Sequence, residues 1–420
     1  MKNNQVYIIG GGLSGLSAAI SLAQLGNTDV TILEQGSDYS ARLQSANSNL
    51  LCGLGGAGTL GGGKLCFPPA SGGIWAKTSC FRSEFQWFKQ YYFADLLSKT
   101  PNSSYPLIPK YECGFSWKRY DSSVLFKDSM NEWVSELITT AIALGVRIRC
   151  HCTYLTHKKE TQGFAVSFRN EDGCIERQMA TYLLFATGRT SAPMLNSIFH
   201  PKASPMPDLG IRLSIDRHQE YIFSAIGKDI KLKSTISDFS VRTFCVCSGG
   251  DSTLVTKGQH QYYDGHFAEC DTGITNLGIL ARSKVYSGIS AADDYLASMQ
   301  KYITADMSLK DFLNYRRLLT RDNQYGLLFE VIAEFIRRLQ DAGCITQNPS
   351  SIPVMVPSVD RLNAMIVTDQ SFQTIQPGIY VIGDATGISR GFVQAMWSGH
   401  CAADRIKQNI MFEQENRSAI

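Results

Sequence analysis

The chain has 420 residues, a formal net charge of +3, 44% hydrophobic and 18% charged residues. This is long enough for two domains, one of them discontinuous, and ordinary for a globular protein. The small charge excess speaks against a nucleic-acid surface, which carries a stronger and clustered excess of Lys and Arg, and no apolar run approaches the roughly 18 residues of a membrane span.

The apolar run Val6–Ile9 begins almost at once and leads into glycines rather than a cleavage site, so a cytoplasmic protein is expected. The twelve cysteines are scattered, which fits reduced side chains inside strands better than a disulfide framework. Cys150-His-Cys152 and Cys245-Val-Cys247 lack the C-x-x-C spacing of zinc sites, and no metal is expected.

The opening segment VYIIGGGLSGLSAAISLAQLGNTDVTILEQ reads as strand, glycine turn, helix and strand. Gly10-x-Gly12-x-x-Gly15 is the dinucleotide fingerprint. Gly10 serves the tight turn, Gly12 the approach of a pyrophosphate, and Gly15 close packing of helix on strand. Leu13 and Ser14 open the helix, whose free N–H groups face the phosphates. Glu34 lies 19 residues after Gly15, where a carboxylate binds a ribose hydroxyl. Gln35 and Arg42, just beyond it, join the expected cofactor-binding set.

Next comes NLLCGLGGAGTLGGGKLCFPPASGG, residues 49–73. It is too glycine-rich for a helix and too apolar for a solvated linker. It reads as backbone laid closely against something flat or phosphorylated, and Gly56, Gly58 and Gly63 join the expected cofactor-binding set. Lys64 is its one charged residue and a candidate for binding substrate or stabilising negative charge on a reduced cofactor. The aromatic stretch Phe81–Phe93 reads as core or pocket wall.

Residues 131–144 show helical periodicity, followed by a strand near Arg147, then FAVSF, a turn at NEDG, and CIERQMATYLLFATG. This reads as a β-meander that returns to the main sheet at Leu183–Ala186. Residues 201–350 change character, with several strand-like runs and two helical stretches, and are expected to form a substrate or cap domain. Residues 351–420 return to the first domain, so that 1–200 and 351–420 make one nucleotide-binding unit. Cys245 and Cys247, at i and i+2, share one face of a flat strand and are candidates for a redox pair. A flat strand holds their Cα atoms roughly 6.5–7 Å apart, long for a disulfide. Tyr262, Tyr263 and His266 stand equally for cleft lining or packing.

The strand Ile379–Ile382 ends in Gly383-Asp384 and is followed by a helix near Gly391-Phe392-Val393. This resembles the third FAD contact of flavoproteins of the glutathione-reductase type, and Ala186-Thr187-Gly188 is similar to their strand ending in Ala-Thr-Gly. The resemblance implies FAD, Asp384 on the ribityl chain, and the 391–393 helix start at the flavin's N1 edge. Further motifs resemble the bacterial group called uncharacterised FAD-dependent dehydrogenases, or NAD(P)/FAD-dependent oxidoreductases. Cys52–Leu65 is similar to their C-G-x-G-G-A-G-x-x-S-D-G-K-L, departing at Gly61 and Gly62. Thr243-Phe-Cys-Val-Cys-Ser-Gly-Gly250 is similar to T-F-C-M-C-P-G-G, and Gly210-Ile-Arg212 to G-V-R.

The implied fold is an α/β Rossmann-type FAD domain, a parallel sheet with a β-meander crossover, plus an inserted α+β substrate or cap domain. The implied function is an FAD-dependent dehydrogenase or reductase acting on a small organic substrate. A flavin monooxygenase using NAD(P)H, and a protein that holds FAD while binding RNA or a partner, are the alternatives. There is no second strand–GxGxxG–helix unit, so NAD(P)H either binds transiently in the open cleft or the substrate supplies the electrons.

Overall fold

The computed structural model describes residues 4–45, 50–60, 63–70, 73–78, 82–99, 114–118, 122–199, 201, 206–216, 231–257, 259–266, 272–288, 290–303, 306–314, 324–360 and 365–418. Gly61, Gly62 and Phe81 lie outside these residues.

Two sheets organise the chain. The first is parallel, in the order Ile379–Val381, Tyr182–Phe185, Asn4–Ile9, Thr28–Leu33, Arg147–Arg149. Four of its strands carry short, largely apolar buried runs, as a parallel sheet between helices requires, and the edge strand Arg147–Arg149 is more exposed. Helix Leu13–Ala23 packs under it and against the long helix Phe392–Ser418. Gly15 makes the turn possible, because a Cβ there would sit 2.2 Å from the Gly10 carbonyl oxygen.

The meander forms as expected. Thr153–Glu160, Gly163–Arg169 and Ile175–Ala180 pair antiparallel, and the chain re-enters the first sheet at Tyr182. The aromatic stretch is core: Phe85 and Phe88 are buried against Trp397 of the last helix, and Phe93 is buried beside Phe88 and Trp133. Trp87 is half exposed and stacks on Tyr91.

The second sheet is antiparallel, in the order Val354–Asp360, Asp208–Asp216, Ile274–Arg282, Phe239–Ser248, Lys231–Ile236, Ser116–Lys118. It therefore draws in strands on both sides of the span 201–350. Its core face packs on helix Gly326–Asp341, which buries Leu328, Phe329, Ile332, Phe335 and Ile336. Strict alternation turns the opposite residues outward. Phe239, Val241 and Thr243 are buried in the core, whereas Ser240, Arg242 and Phe244 line a cavity facing the first sheet.

Candidate FAD site

The cavity has a volume of about 940 Å³ and opens between the two sheets. That lies at the upper end of the roughly 300–1,000 Å³ typical of ligand pockets. It begins at the fingerprint, where Gly10, Gly12, Leu13 and Ser14 line it with Glu34 and Gln35. It continues past Gly56, Gly58, Gly63 and Lys64, then Ala186, Thr187 and Gly188, to Asp384, Gly391 and Phe392. Of the residues expected in the site, Gly15, Arg42, Cys247, Gly383 and Val393 stand behind this lining.

Glu34 lines the cavity and also does more than its spacing suggests. Its side chain is buried and already engaged. Oε2 accepts from the Gly11 N–H at 2.8 Å, and Oε1 accepts from Gly36 N–H at 2.8 Å and Gly53 N–H at 3.1 Å. The Cys52 thiol lies 3.7 Å from Oε1, and burial with the Glu34 charge raises that thiol's pKa. The carboxylate thus pins the glycine-rich segment to the fingerprint. A ribose hydroxyl would share what acceptor capacity remains.

Arg42 completes the clamp from the carbonyl side. Its buried Nη1 donates to the carbonyls of Leu54 at 2.6 Å, Gly56 at 3.1 Å and Gly53 at 3.3 Å. The carboxylate takes the Gly53 N–H of the loop, and the guanidinium takes the C=O groups of Gly53, Leu54 and Gly56. The segment then lies flat on the turn, with Gly55 N–H on the Gly11 carbonyl at 2.9 Å. Arg42 is therefore a loop-holding residue rather than a lining one.

The residues fit FAD on three counts. Helix Leu13–Ala23 starts at Gly12 with no side-chain cap, leaving its N-terminal donors to an anion. A Cβ at Gly12 would touch protein only at 3.6 Å, an ordinary contact, so the space beside it is left by the protein and opens to the cavity. Thr187 Oγ1 is buried in the cavity wall with no protein partner, as a ligand-facing hydroxyl would be.

Several residues of the wall escaped the sequence reading. Arg189 reaches Asp264 at 3.3 Å with Nη1 and Asp384 at 3.6 Å with Nε, joining the two halves across the cavity. Burial raises the Asp384 pKa, and the Arg189 charge opposes the rise. Arg242 and Arg282 meet on Asp208, and Arg242 and Arg390 on Asp360. Arg189 directly follows the Ala-Thr-Gly strand end and Arg390 precedes Gly391, so adjacency was the available signal. Tyr262 is core, and Tyr263 donates to the Ile303 carbonyl at 2.6 Å.

Lys64 is half-buried, not a surface lysine, and its Nζ donates to the Val246 carbonyl at 3.0 Å. The cysteine pair departs from the flat-strand expectation. A register shift between Phe244 and Cys247 and a φ of +44° at Cys245 turn Cys245 out to the cavity, while Cys247 stays buried. The two sulfurs are 3.6 Å apart.

Asp384 and Asp369 provide a contrast. Asp369 is exposed and holds its own turn, accepting from Ser371 and Gln373 N–H groups. Asp384→Ala is expected to weaken FAD binding by tenfold or more, about the 1.5–3 kcal/mol of a charge-assisted hydrogen bond. Asp369→Ala should keep its flavin. The flavin-to-protein ratio after gel filtration checks this, and equal loss in both variants would remove Asp384 from the site.

Residues 5–99 match the family model described as FAD dependent oxidoreductase (DAO). The match spans the fingerprint, Glu34, Arg42 and the glycine-rich segment. Among curated proteins, none matches the chain. Among solved structures, the chain is similar to a geranylgeranyl bacteriochlorophyll reductase-like protein from Thermoplasma acidophilum, at 14% identity over 98% of this chain and 80% of that one, with a TM-score of 0.42. It is similar to the tetrameric form of 2-methyl-3-hydroxypyridine-5-carboxylic acid oxygenase, at 14% identity over 97% and 83%, with a TM-score of 0.42. It is also similar to aklavinone-11 hydroxylase in complex with FAD and aklavinone, at 12% identity over 98% and 63%, with a TM-score of 0.44. With the family match falling on the residues that build the cradle, the protein is an enzyme, an FAD-dependent oxidoreductase.

Proposed function

We propose that the protein is a dehydrogenase or reductase that exchanges electrons between FAD and a small organic substrate held between the two sheets. The observation that supports this reading is the continuity of one cavity from the phosphate turn to the second sheet. Bound FAD supplies two-electron chemistry. The chain's residues position it: Gly10, Gly12 and the helix start at Leu13 take the pyrophosphate, with Glu34 and Gln35 at the adenosine end and Thr187 and Asp384 further along. The helix beginning at Phe392 brings the positive end of its dipole to the cavity, where a reduced flavin carries negative charge.

The opposite wall supplies the substrate side. Lys231, Lys233, Arg242 and Arg282 line it from the second sheet, and Lys64 faces it from the glycine-rich strand. Arg242 and Arg282 are met by Asp208 and Asp360, so it is the lysines of this wall that suit a substrate bearing an acidic group. NAD(P)H would enter the same open cavity, without a nucleotide domain of its own.

Anaerobic stopped-flow mixing with NADH and NADPH, followed by exposure to air, tests the reaction class. Slow reoxidation by air after reduction by a nicotinamide or an organic acid supports the reading. Rapid reoxidation coupled to hydroxylation of the substrate would instead make the enzyme a monooxygenase.

A further inference from the structure

The strand Phe239–Ser248 alternates regularly up to Phe244, and continued alternation would put Cys245 and Cys247 together on the core face. The bulge prevents this. Phe244 and Cys245 both line the cavity, and the next two residues, Val246 and Cys247, are buried. The same distortion shortens the gap between the sulfurs to 3.6 Å, from which side-chain rotation can close an S–S bond.

The surroundings hold this arrangement in place. Arg212, fully buried, donates from Nη2 to the Cys245 carbonyl at 2.9 Å and from Nε to Asn276 Oδ1 at 2.5 Å. Lys64 Nζ sits on the carbonyl of the residue between the two cysteines. Two cations from two other strands therefore converge on a three-residue stretch that carries two thiols. This explains what the Gly-Ile-Arg segment and the lysine of the glycine-rich segment do.

We propose that Cys245 and Cys247 form a reversible dithiol–disulfide couple in the cavity wall, exchanging an electron pair with the flavin. The inference rests on the FAD reading above. In the oxidising direction both S–H bonds break and one S–S bond forms. Two electrons leave for oxidised FAD, which takes them with one proton, and the second proton passes to solvent through the cavity. The reverse step opens the disulfide with electrons from the reduced flavin.

Cys245 is the thiol that ionises first. The hydrogen bond with Cys247 holds its pKa down at about 6, against burial, with Lys64 and Arg212 lowering it further and Asp264 opposing them. Cys247 is raised well above the usual thiol value by the same hydrogen bond and by burial. A low-pKa, cavity-facing thiol beside a buried, protonated one is the division of labour that thiol–disulfide exchange uses.

The test begins by measuring flavin content per chain, so that a failure of the FAD reading is seen separately. The FAD-loaded protein is then equilibrated in dithiothreitol buffers from reduced to oxidised, acid-quenched, unfolded, alkylated, and mapped by peptide mass. Cys245 and Cys247 should lose reactivity together, while exposed Cys174 remains reactive. An anaerobic dithionite titration of the oxidised holoenzyme should consume about four electrons per flavin, falling to about two in Cys247→Ser and Cys245→Ser. In the reduced wild type, the pH midpoint of Cys245 alkylation should lie below the usual thiol value, and Lys64→Met should move that midpoint up. Cysteines that stay alkylatable in every buffer, or a wild type that accepts only about two electrons, would overturn the couple. The buffer series on the unmutated protein decides even if the serine variants fail to fold.

Discussion

Replacing Glu34 by alanine lowers the thermal midpoint of the apoprotein as well as its hold on FAD. The carboxylate accepts from three backbone N–H groups, Gly11, Gly36 and Gly53, in a buried site. A buried donor left without a partner costs about 1–3 kcal/mol. Three at once destabilise by about 3 kcal/mol or more, even before any ribose contact is counted. Arg42 also loses the Glu34 charge beside it, its guanidinium still buried against the Gly53, Leu54 and Gly56 carbonyls. Glu34→Gln keeps one acceptor oxygen and turns an NH₂ toward amide donors, so its loss should be smaller but in the same direction. Thermal melts of the apo forms with FAD titrations check both. An alanine variant that melts like the wild type and binds FAD equally would show that the clamp does not hold the loop.

The second large effect is expected at Gly56→Ala. Gly56 has a φ of +86°, where L side chains are strained, and a Cβ there would sit 2.8 Å from the Gly12 Cα. Backbone cannot yield as a flexible side chain can, so the segment must lift from the turn. That movement breaks the Gly55 N–H bond to the Gly11 carbonyl and widens the cavity where the pyrophosphate would lie. Overpacking of this kind costs typically about 1–3 kcal/mol. FAD affinity should fall by at least tenfold, with a smaller loss in the melting midpoint. Ala57, one residue on, also lines the cavity, and Ala57→Gly should bind FAD within a few-fold of the wild type. Equal affinity in Gly56→Ala and the wild type would contradict the close packing of glycine-rich segment on fingerprint.

How much of this was legible in the sequence follows the range of the interactions. The fingerprint could be read because strand, turn, helix and acidic strand end are local and fall in register within Val6–Glu34. The meander and the strand before Asp384 were legible for the same reason. The second sheet was harder. Ser116–Lys118 and Val354–Asp360 are recruited to it by pairing with strands far away in sequence, and a three-residue strand carries little periodic signal. The bulge at Cys245 could not be read at all. It depends on how Phe239–Ser248 registers against Ile274–Arg282, and alternation gives the opposite facing for Cys245 and Val246.

Glu34 shows a subtler case. Its position at the end of the second strand was read correctly, and the spacing rule gave it to a ribose. The structure gives most of its lone pairs to backbone, because a glycine-rich segment folded flat has many N–H groups and no side chains to satisfy them. Arg42 follows the same logic from the carbonyl side. Lys64 and Arg212 were each visible as charges in apolar surroundings, but their common destination on residues 245–246 is a tertiary fact.

The cofactor itself is the most direct test of the account. Purified protein, incubated with an excess of both FAD and FMN and then freed of unbound flavin, is heated and the released flavin identified by chromatography. The fingerprint turn, the adenosine end at Glu34 and Gln35, and the long cavity predict FAD, close to one per chain. Release of FMN, or of no flavin, would contradict it.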